Sequence, residues 1–404
     1  MGLFDRFKKK ENAESGQDRE TEKAAVSFEL DTPRTKELYQ QLAEKITEII
    51  PDKWSDVYFY GEVLDDSTTT YFYYRQAENG AMLYSHYIPK VYKVSEAVYM
   101  KLLHEINKII RQLRDEYKEN GRKVWTNFTM TLDSTGKFNI KYNYENVLNG
   151  EYTVTERRMI WSYEVLGRIP VEDRMREAVQ KYLGSKIKIP EKNKLIGQTI
   201  NSSKCPACGK PEVTKRDNLF YRCQNCNNSF FTDSHNVIMY VYDQELIEAV
   251  TRAQQFAVKE EYGNALKELV PYENRAWDNL GLLMQLALSY RRAGYNDIAM
   301  YWYEQIKYLK PDYAMAYHGI GFIYFLERKY SLALKEYETA FPIIEADPDT
   351  YAASERAILY AFYGGSLAGD GKREEGEAII RKAEAQGYNN GNVIREMVGL
   401  APKT

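Results

Sequence analysis

The sequence predicts a multidomain protein, α+β towards its N-terminus and all-α towards its C-terminus. An antiparallel sheet with helices comes first, then a small four-cysteine module, then an α-solenoid of helix-turn-helix repeats. Three observations predict this. Alternating aromatic runs bounded by turn residues fill much of positions 56–144. All the cysteines, Cys205, Cys208, Cys223 and Cys226, fall within residues 204–231. Beyond Tyr242, small and aromatic residues recur with a period of 34.

Composition sets the bounds. A length of 404 residues suits two to four domains, and a formal charge of -3 gives no overall bias toward nucleic acid or anionic surfaces. No apolar run approaches the roughly 20 residues a membrane span needs, and no secretory signal pattern opens the sequence. The expectation is a soluble, cytoplasmic protein. Residues 1–31 mix acids and bases without apolar period and read as a disordered tail. Within it Leu3, Phe4 and Phe7 stand beside Lys8, Lys9 and Lys10, a pattern that touches anionic membrane only weakly; a solvated tail is the simpler reading. Arg6 stands where a lipidation signal needs Ser or Thr.

From Thr32 the elements follow in order. Thr32 as cap, Pro33 in the first turn and Leu38, Leu42, Ile46 and Ile49 on one face predict an amphipathic helix ending before Pro51. DVYFYGEVL and TTTYFYYRQ, parted by Asp65, Asp66 and Ser67, and AMLYSHYI after Asn79-Gly80 predict three antiparallel strands. Ser95 opens a long helix with a stripe at Leu102, Ile106, Ile109 and Leu113, stopped by Asn120-Gly121. Two more strands run through Val124–Leu132 and Phe138–Tyr144, and Thr153 with Glu156 reads as a capping box for a helix closed by Gly167. One face of the sheet should lie under helices.

The segments ELYQQLAEKITEIIPDKWSDVYFYGEV, YSHYIP, WTNFTMTLDSTGKFNIKYNYEN and TERRMIWSYEVLG carry a resemblance. Residues from about Thr35 to Pro170 resemble the YezG-like antitoxin (immunity) family. The resemblance implies a small cytoplasmic protein that binds and neutralises a secreted polymorphic toxin, often a nuclease, made by the same cell. Members of that family are mostly single domains, so the additional segments here leave room for a different partner. Candidate partner-binding residues are Tyr58, Tyr60, Tyr71, Tyr73 and Tyr74 on the aromatic strands, rimmed by Glu62, Asp65 and Asp66, because aromatic anchors in an acidic rim complement a basic surface. Alternation means that some of these tyrosines pack under the helices instead.

No acid–base or nucleophile cluster emerges. Adjacent acids in a turn, as at Asp65-Asp66, are usually solvated, and His86 and His104 read as ordinary surface or core histidines. The expectation is no catalytic residue and no enzyme activity.

Residues 171–202 read as a polar helix with Met175, Val179 and Leu183 on one side, then a lysine-rich linker broken by Pro190. Residues 203–235 follow. Two Cys-x2-Cys turns can face one another and present four soft thiolates at tetrahedral corners, with no open position. Gly209 and Asn227, just after each pair, tolerate the positive φ that such turns need. Glu212 to Tyr221 reads as a hairpin. The stretch resembles a zinc ribbon, which implies a structural Zn(2+). Disulfides or a redox Cys-x-x-Cys are the competing readings, and a cytoplasmic chain able to bury a large core has little need of staples. Dispersed cations at Lys204, Lys210, Lys215, Arg216 and Arg222, without a stacking aromatic row, make nucleic-acid contact the weaker expectation.

Residues 240–400 carry the repeats. From starts at Leu246, Leu280 and Ala314, the eighth position is Ala253, Ala287 and Gly321, the eleventh Phe256, Tyr290 and Tyr324, the twentieth Ala265, Ala299 and Ala333. This resembles the tetratricopeptide repeat, where small residues let paired helices approach. A fourth unit from Ala357, with Gly364, Leu367 and Gly376 at those positions, departs from the pattern and suggests a looser, capping repeat. By position, Met284, Leu288, Arg291, His318, Phe322 and Phe325 should line a concave trough suited to a peptide or helix bearing an acidic residue. Equally, the chain's own ribbon or its Gly387–Leu400 tail could fill that trough.

The reading is therefore a non-catalytic binding protein with segments at 1–31, 32–170, 171–202, 203–235 and 240–400. Immunity against a toxin is the first function hypothesis. An adaptor that scaffolds a protein complex without a toxin is the alternative, and a nuclease runs third.

Overall fold

Thr32 caps the first helix as predicted: its Oγ1 accepts the Thr35 N–H at 3.0 Å, and Pro33 occupies the first turn. The computed structural model describes residues 31–144, 152–184, 191–201, 203–211, 213–217 and 219–403. The expectations for the N-terminal tail and for the linker around Pro190 lie outside them. The chain divides into two compact units, Met1–Thr153 and Val154–Thr404.

In the first unit, α1 (Pro33–Ile49) buries Leu38, Leu42, Ile46 and Ile49. It is followed by β1 (Trp54–Val63), β2 (Thr68–Gln76), β3 (Met82–Tyr84), α2 (Ile88–Val91), α3 (Glu96–Glu119), β4 (Asn127–Asp133) and β5 (Phe138–Asn143). The strands form an antiparallel sheet in the order β3-β2-β1-β4-β5. Helices α1 and α3 pack on each other, and α3 also contacts β1 and β2. The apolar layer includes Val57, Phe59, Phe72, Phe128 and Met130, none of them measurably exposed. A Cβ at Gly61 would meet the Phe128 ring at 2.7 Å, so glycine lets that ring lie directly on β1.

Two expectations shift. AMLYSHYI is not one strand: it leaves the sheet at Tyr84, turns through a 3₁₀ segment at Ser85–Tyr87 and enters α2. Pro89 is pre-set for that helical turn, and Ser85 Oγ holds the bend by accepting the Phe72 N–H at 3.1 Å. On α3 the buried stripe is Tyr99, Leu103, Ile106, Ile109, Ile110, Leu113 and Tyr117, so Ile106, Ile109 and Leu113 face inward as expected, and Leu103 does so in place of Leu102.

The second unit opens with α4 (Val154–Leu166) and α5 (Asp173–Leu183). Helix α5 docks on the repeats. The Arg176 guanidinium lies 5.1 Å from the Trp277 ring centroid, and the Asp173 N–H donates to the Tyr308 hydroxyl at 3.1 Å. Strands β6 (Val213–Asp217), β7 (Phe220–Cys223), β8 (Ser229–Thr232) and β9 (Ile238–Tyr242) form a four-stranded antiparallel ribbon in sequence order. The hairpin between the cysteine pairs is thus present, and β8 and β9 extend it.

Helical pairs follow: α6 (Gln244–Val258) with α7 (Tyr262–Leu269), α8 (Leu280–Arg292) with α9 (Asn296–Leu309), α10 (Ala314–Leu326) with α11 (Tyr330–Ala346), and α12 (Ala353–Gly369) with α13 (Arg373–Ala385). The final α14 (Gly391–Met397) packs on α12 and α13. Small residues seat large ones as the period implied: Gly319 faces the Tyr303 ring, and Gly321 that of Tyr337. The fourth pair is not looser. Gly364 and Gly376 let α12 and α13 touch backbone to backbone, and the capping role falls to α14.

Candidate metal centre and binding surfaces

The ribbon brings its four cysteines together. Cys205 Sγ and Cys226 Sγ are 3.7 Å apart, as are Cys208 Sγ and Cys223 Sγ, and all four sulfurs lie within 4.8 Å of one another. A sulfur–sulfur bond needs about 2.05 Å, so these are free thiols. Thiolates about 2.3 Å from a tetrahedral metal stand roughly 3.8 Å apart, the spacing seen here. Gly209 (φ 75°) and Asn227 (φ 59°) both adopt the left-handed backbone expected of them. The Cys226 N–H points at Cys223 Sγ (3.5 Å) and Asn225 Nδ2 at Cys208 Sγ (3.6 Å), second-layer contacts that suit thiolates. In the field of the protein alone, the Lys210 N–H lowers Cys208 to about 7, while burial pushes Cys226 up to about 12. A bound cation would deprotonate the set. The four cysteines fit a metal ion.

The ribbon also carries an aromatic row that the sequence reading missed. Phe220, Phe231 and Tyr240 are successive cross-strand partners whose rings stack at 4.9 and 4.5 Å. The signal lay in the period-2 pattern of FYRC, SFFT and IMYVY, which only the strand register converts into a ladder. This row faces the repeats. A Cβ at Gly281, in the first turn of α8, would meet the Tyr240 ring at 2.3 Å and the Tyr242 hydroxyl at 2.5 Å. Ser234 adds hydrogen bonds to Thr350 (3.0 Å) and Asp347 (2.9 Å). The ribbon therefore occupies the N-terminal ends of the first helices of the pairs. At the other side α14 places Ile394 against Gly365 of α12.

Between these, Met284, Leu288, Arg291, His318 and Phe322 remain partly exposed on α8 and α10. Arg291 lies over the Phe322 ring at 4.5 Å. His318 sits among rings, 6.0 Å from Phe322 and 6.1 Å from Phe362, with Nδ1 3.3 Å from the Tyr337 hydroxyl. Burial, and secondarily the Arg291 charge, push its pKa down to about 3, so it is neutral. Phe325 does not line the trough. It is fully buried, 5.2 Å from the Phe362 ring and close to Gly365, because it packs α10 onto α12.

On the N-terminal sheet the expected exposed aromatic face is largely inside. Tyr60, Tyr71, Tyr73, Tyr74 and Glu62 are buried, Tyr58 is partly exposed, and Asp65 and Asp66 are exposed. Tyr60 stacks on Tyr71 at 4.8 Å and donates to Glu62 at 2.8 Å, while Tyr73 lies 5.1 Å from Tyr84. Cross-strand stacking between aromatic-rich strands accounts for part of this burial. Tyr58 instead borders a shallow hollow of about 270 Å³ with Asp56, Asp133 and Asn139. His86 stacks on Tyr84 at 5.0 Å, and His104 is exposed on α3.

An aromatic-cored α+β unit, a four-cysteine ribbon and a helical repeat array define a modular protein. The family described as Immunity protein YezG-like matches residues 35–180. The chain is 42% identical over 154 residues to the Immunity protein YezG of Bacillus spizizenii, spanning 38% of this chain and 96% of that relative. To the Immunity protein YezG of Bacillus subtilis it is 43% identical over 148 residues, 37% of this chain and 98% of the relative. The chain belongs to the YezG-like immunity protein family. It is also 26% identical over 133 residues to the Type VII secretion system protein EsaG of Staphylococcus aureus, covering 33% of this chain and 82% of that protein. Among solved structures, MamA 41-end from Desulfovibrio magneticus RS-1 is similar with a TM-score of 0.31 and 20% identity, over 38% of this chain and 84% of that one.

Proposed function

We propose that this chain is a non-catalytic immunity protein that binds a secreted toxin domain, of the nuclease class, and blocks it. The observation that carries this reading is its alignment with nearly the whole length of two proteins named as immunity proteins. The surface we assign to the toxin is the hollow that Tyr58 borders with Asp56 and Asp133; the exposed turn acids Asp65 and Asp66 lie beyond the other end of β1, apart from it. Two acids beside a partly exposed aromatic, against the single base Lys137 in the same lining, complement the basic surface of a nucleic-acid-cleaving domain. Four thiolates at tetrahedral spacing favour zinc as the ribbon's metal, holding its fold and taking no part in chemistry.

The trough gives the repeats a separate role. Arg291 has no carboxylate within ion-pair distance among the described residues, so the stretch from Met284 to Phe322 suits a partner segment carrying an acidic residue. That observation favours the adaptor reading as an addition to immunity. The test is affinity capture with the tagged full chain from its host, the captured proteins identified by mass spectrometry. Recovery of a secreted toxin domain whose toxicity the chain suppresses supports the proposal. Recovery of non-toxic proteins alone, with no suppression, replaces it with the adaptor reading.

A further inference from the structure

The bases that read as dispersed along the sequence lie, in the fold, on the free side of the ribbon. Strand β9 packs on α6 and α8, so β6 forms the opposite, outer edge and pairs with β7 alone among the described strands. Thr214, Lys215 and Arg216 are exposed along β6, and Arg222 is partly exposed on β7 opposite Thr214. Lys204 and Lys210 are exposed on either side of the first cysteine pair, where the Cys205 N–H donates to the Lys210 carbonyl at 2.8 Å.

Between Lys204 and Arg222 five bases stand against two acids, Glu212 and Asp217, a local charge of +3 in a chain of -3. Among the described residues no carboxylate lies within ion-pair distance of any of the five. Lys210 Nζ donates to the Asn225 amide oxygen at 2.9 Å, and Lys215 Nζ stands 5.4 Å from the Tyr221 ring centroid. By contrast Arg122, Arg168 and Arg395 are each tied to a carboxylate within 3.3 Å. An outer sheet edge also presents backbone N–H groups, and Thr214, Gln224 and Asn225 are exposed beside it. Unpaired cations with neutral donors among them are the set that phosphate oxygens take.

The rest of this face selects among anionic partners. Among the described residues none of the exposed large apolar side chains falls between Tyr182 and Val258, so it has nothing to bury in lipid or at the core of a protein interface. Its rings are committed elsewhere: Tyr221 lies in the ribbon core, and the row of Phe220, Phe231 and Tyr240 faces the repeats. That leaves no stacking platform for unpaired bases. A duplex backbone needs only cations and donors along a ridge.

We propose that the outer edge of the ribbon binds the phosphate backbone of a nucleic-acid duplex through Lys204, Lys210, Lys215 and Arg216, without reading its sequence. Closure of the four-cysteine site sets Lys204 and Lys210 relative to β6, so the surface belongs to the metal-loaded fold. It does not depend on the immunity reading, which concerns the N-terminal unit.

The experiment is fluorescence anisotropy of the zinc-loaded full chain with a labelled DNA duplex of mixed sequence, its isolated single strand and labelled polyglutamate. The duplex should bind, and its affinity should fall about a hundredfold between 50 and 200 mM salt, the loss that about four neutralised phosphates give. Lys215→Gln with Arg216→Gln should weaken duplex binding at least tenfold in 50 mM salt, with zinc content and circular dichroism unchanged. Should that variant fail to fold, Lys204→Gln with Lys210→Gln carries the same expectation. Lys335→Gln with Lys372→Gln, exposed bases on the repeats, should leave binding unchanged. Absence of duplex binding at micromolar chain overturns the proposal, as do salt-insensitive binding, undiminished binding by the folded ribbon variants and equal weakening by the repeat variant. Tighter binding of the single strand overturns the duplex geometry, and polyglutamate bound as tightly as the duplex overturns the nucleic-acid partner.

Discussion

Gly364 and Gly376 face one another across α12 and α13 so closely that a Cβ on Gly364 would lie 2.7 Å from the Gly376 carbonyl oxygen. One on Gly376 would lie 2.5 Å from that of Gly364. The obstacle in each case is backbone, which cannot rotate away as a side chain can. Alanine ordinarily gains up to about 1 kcal/mol over glycine inside a helix, but overpacking costs about 1–3 kcal/mol. Gly364→Ala and Gly376→Ala should each lower stability in urea unfolding. Gly263→Ala, in α7 with open space around it, should be neutral or slightly stabilising.

Arg395 is fully buried between Glu377 (2.8 Å) and Glu384 (2.7 Å), which ties α14 to α13. Removing it leaves two carboxylates facing one another, and Arg395→Met should cost about 3–5 kcal/mol. The Arg395 hydrogen bonds hold Glu384 down to about 2, below the ordinary carboxylate value. A depressed folded pKa contributes stability that is present above about pH 4.3 and is lost as pH falls toward 2. Melting temperatures from pH 7 to 3 should fall more steeply for the native chain than for Arg395→Met.

His318 titrates in the same sense. Its folded pKa of about 3 lies under the unfolded 6.5, so the unfolded chain takes up the proton first and stability declines as pH drops below 6.5. His318→Gln should flatten the stability profile between pH 6.5 and 4. An NMR titration should show the His318 ring neutral at pH 5; a midpoint near 6.5 would contradict its burial among Phe322, Phe362 and Tyr337.

Metal removal should unfold the ribbon and loosen its hold on the repeats, because β9 pairs with β8 and packs against α8. Zinc in such modules contributes on the order of 10 kcal/mol of apparent binding energy. The chain should carry one zinc per molecule by elemental analysis, and Cys223→Ser should lose it along with near-ultraviolet dichroism from the Phe231 and Tyr240 environment. Gly281→Ala should disturb the same contact from the α8 side with zinc retained.

Most of the fold was legible because its signals are local. Thr32 and Pro33 start α1, Asn79-Gly80 turns β2 into β3, the knuckle residues Gly209 and Asn227 have the backbone their spacing implied, and a 34-residue period places the helices from α6 to α11. What was not legible depends on register and long-range packing. Nothing local tells that Tyr60, Tyr71 and Tyr73 stack inward, that Phe220, Phe231 and Tyr240 line up across three strands, or that Gly281 marks where the ribbon lands. Phe325 illustrates the same limit: the repeat phase puts it on the first helix of its pair, but whether it faces trough or neighbour is decided by Gly365 and Phe362.

The most direct measurement of the central claim is growth of cells expressing the toxin domain captured by the tagged chain, with and without the full chain co-expressed. Immunity predicts that co-expression restores growth and that charge reversal at Asp56 and Asp133 weakens the rescue. Equal killing with the folded, zinc-loaded chain present would contradict the account.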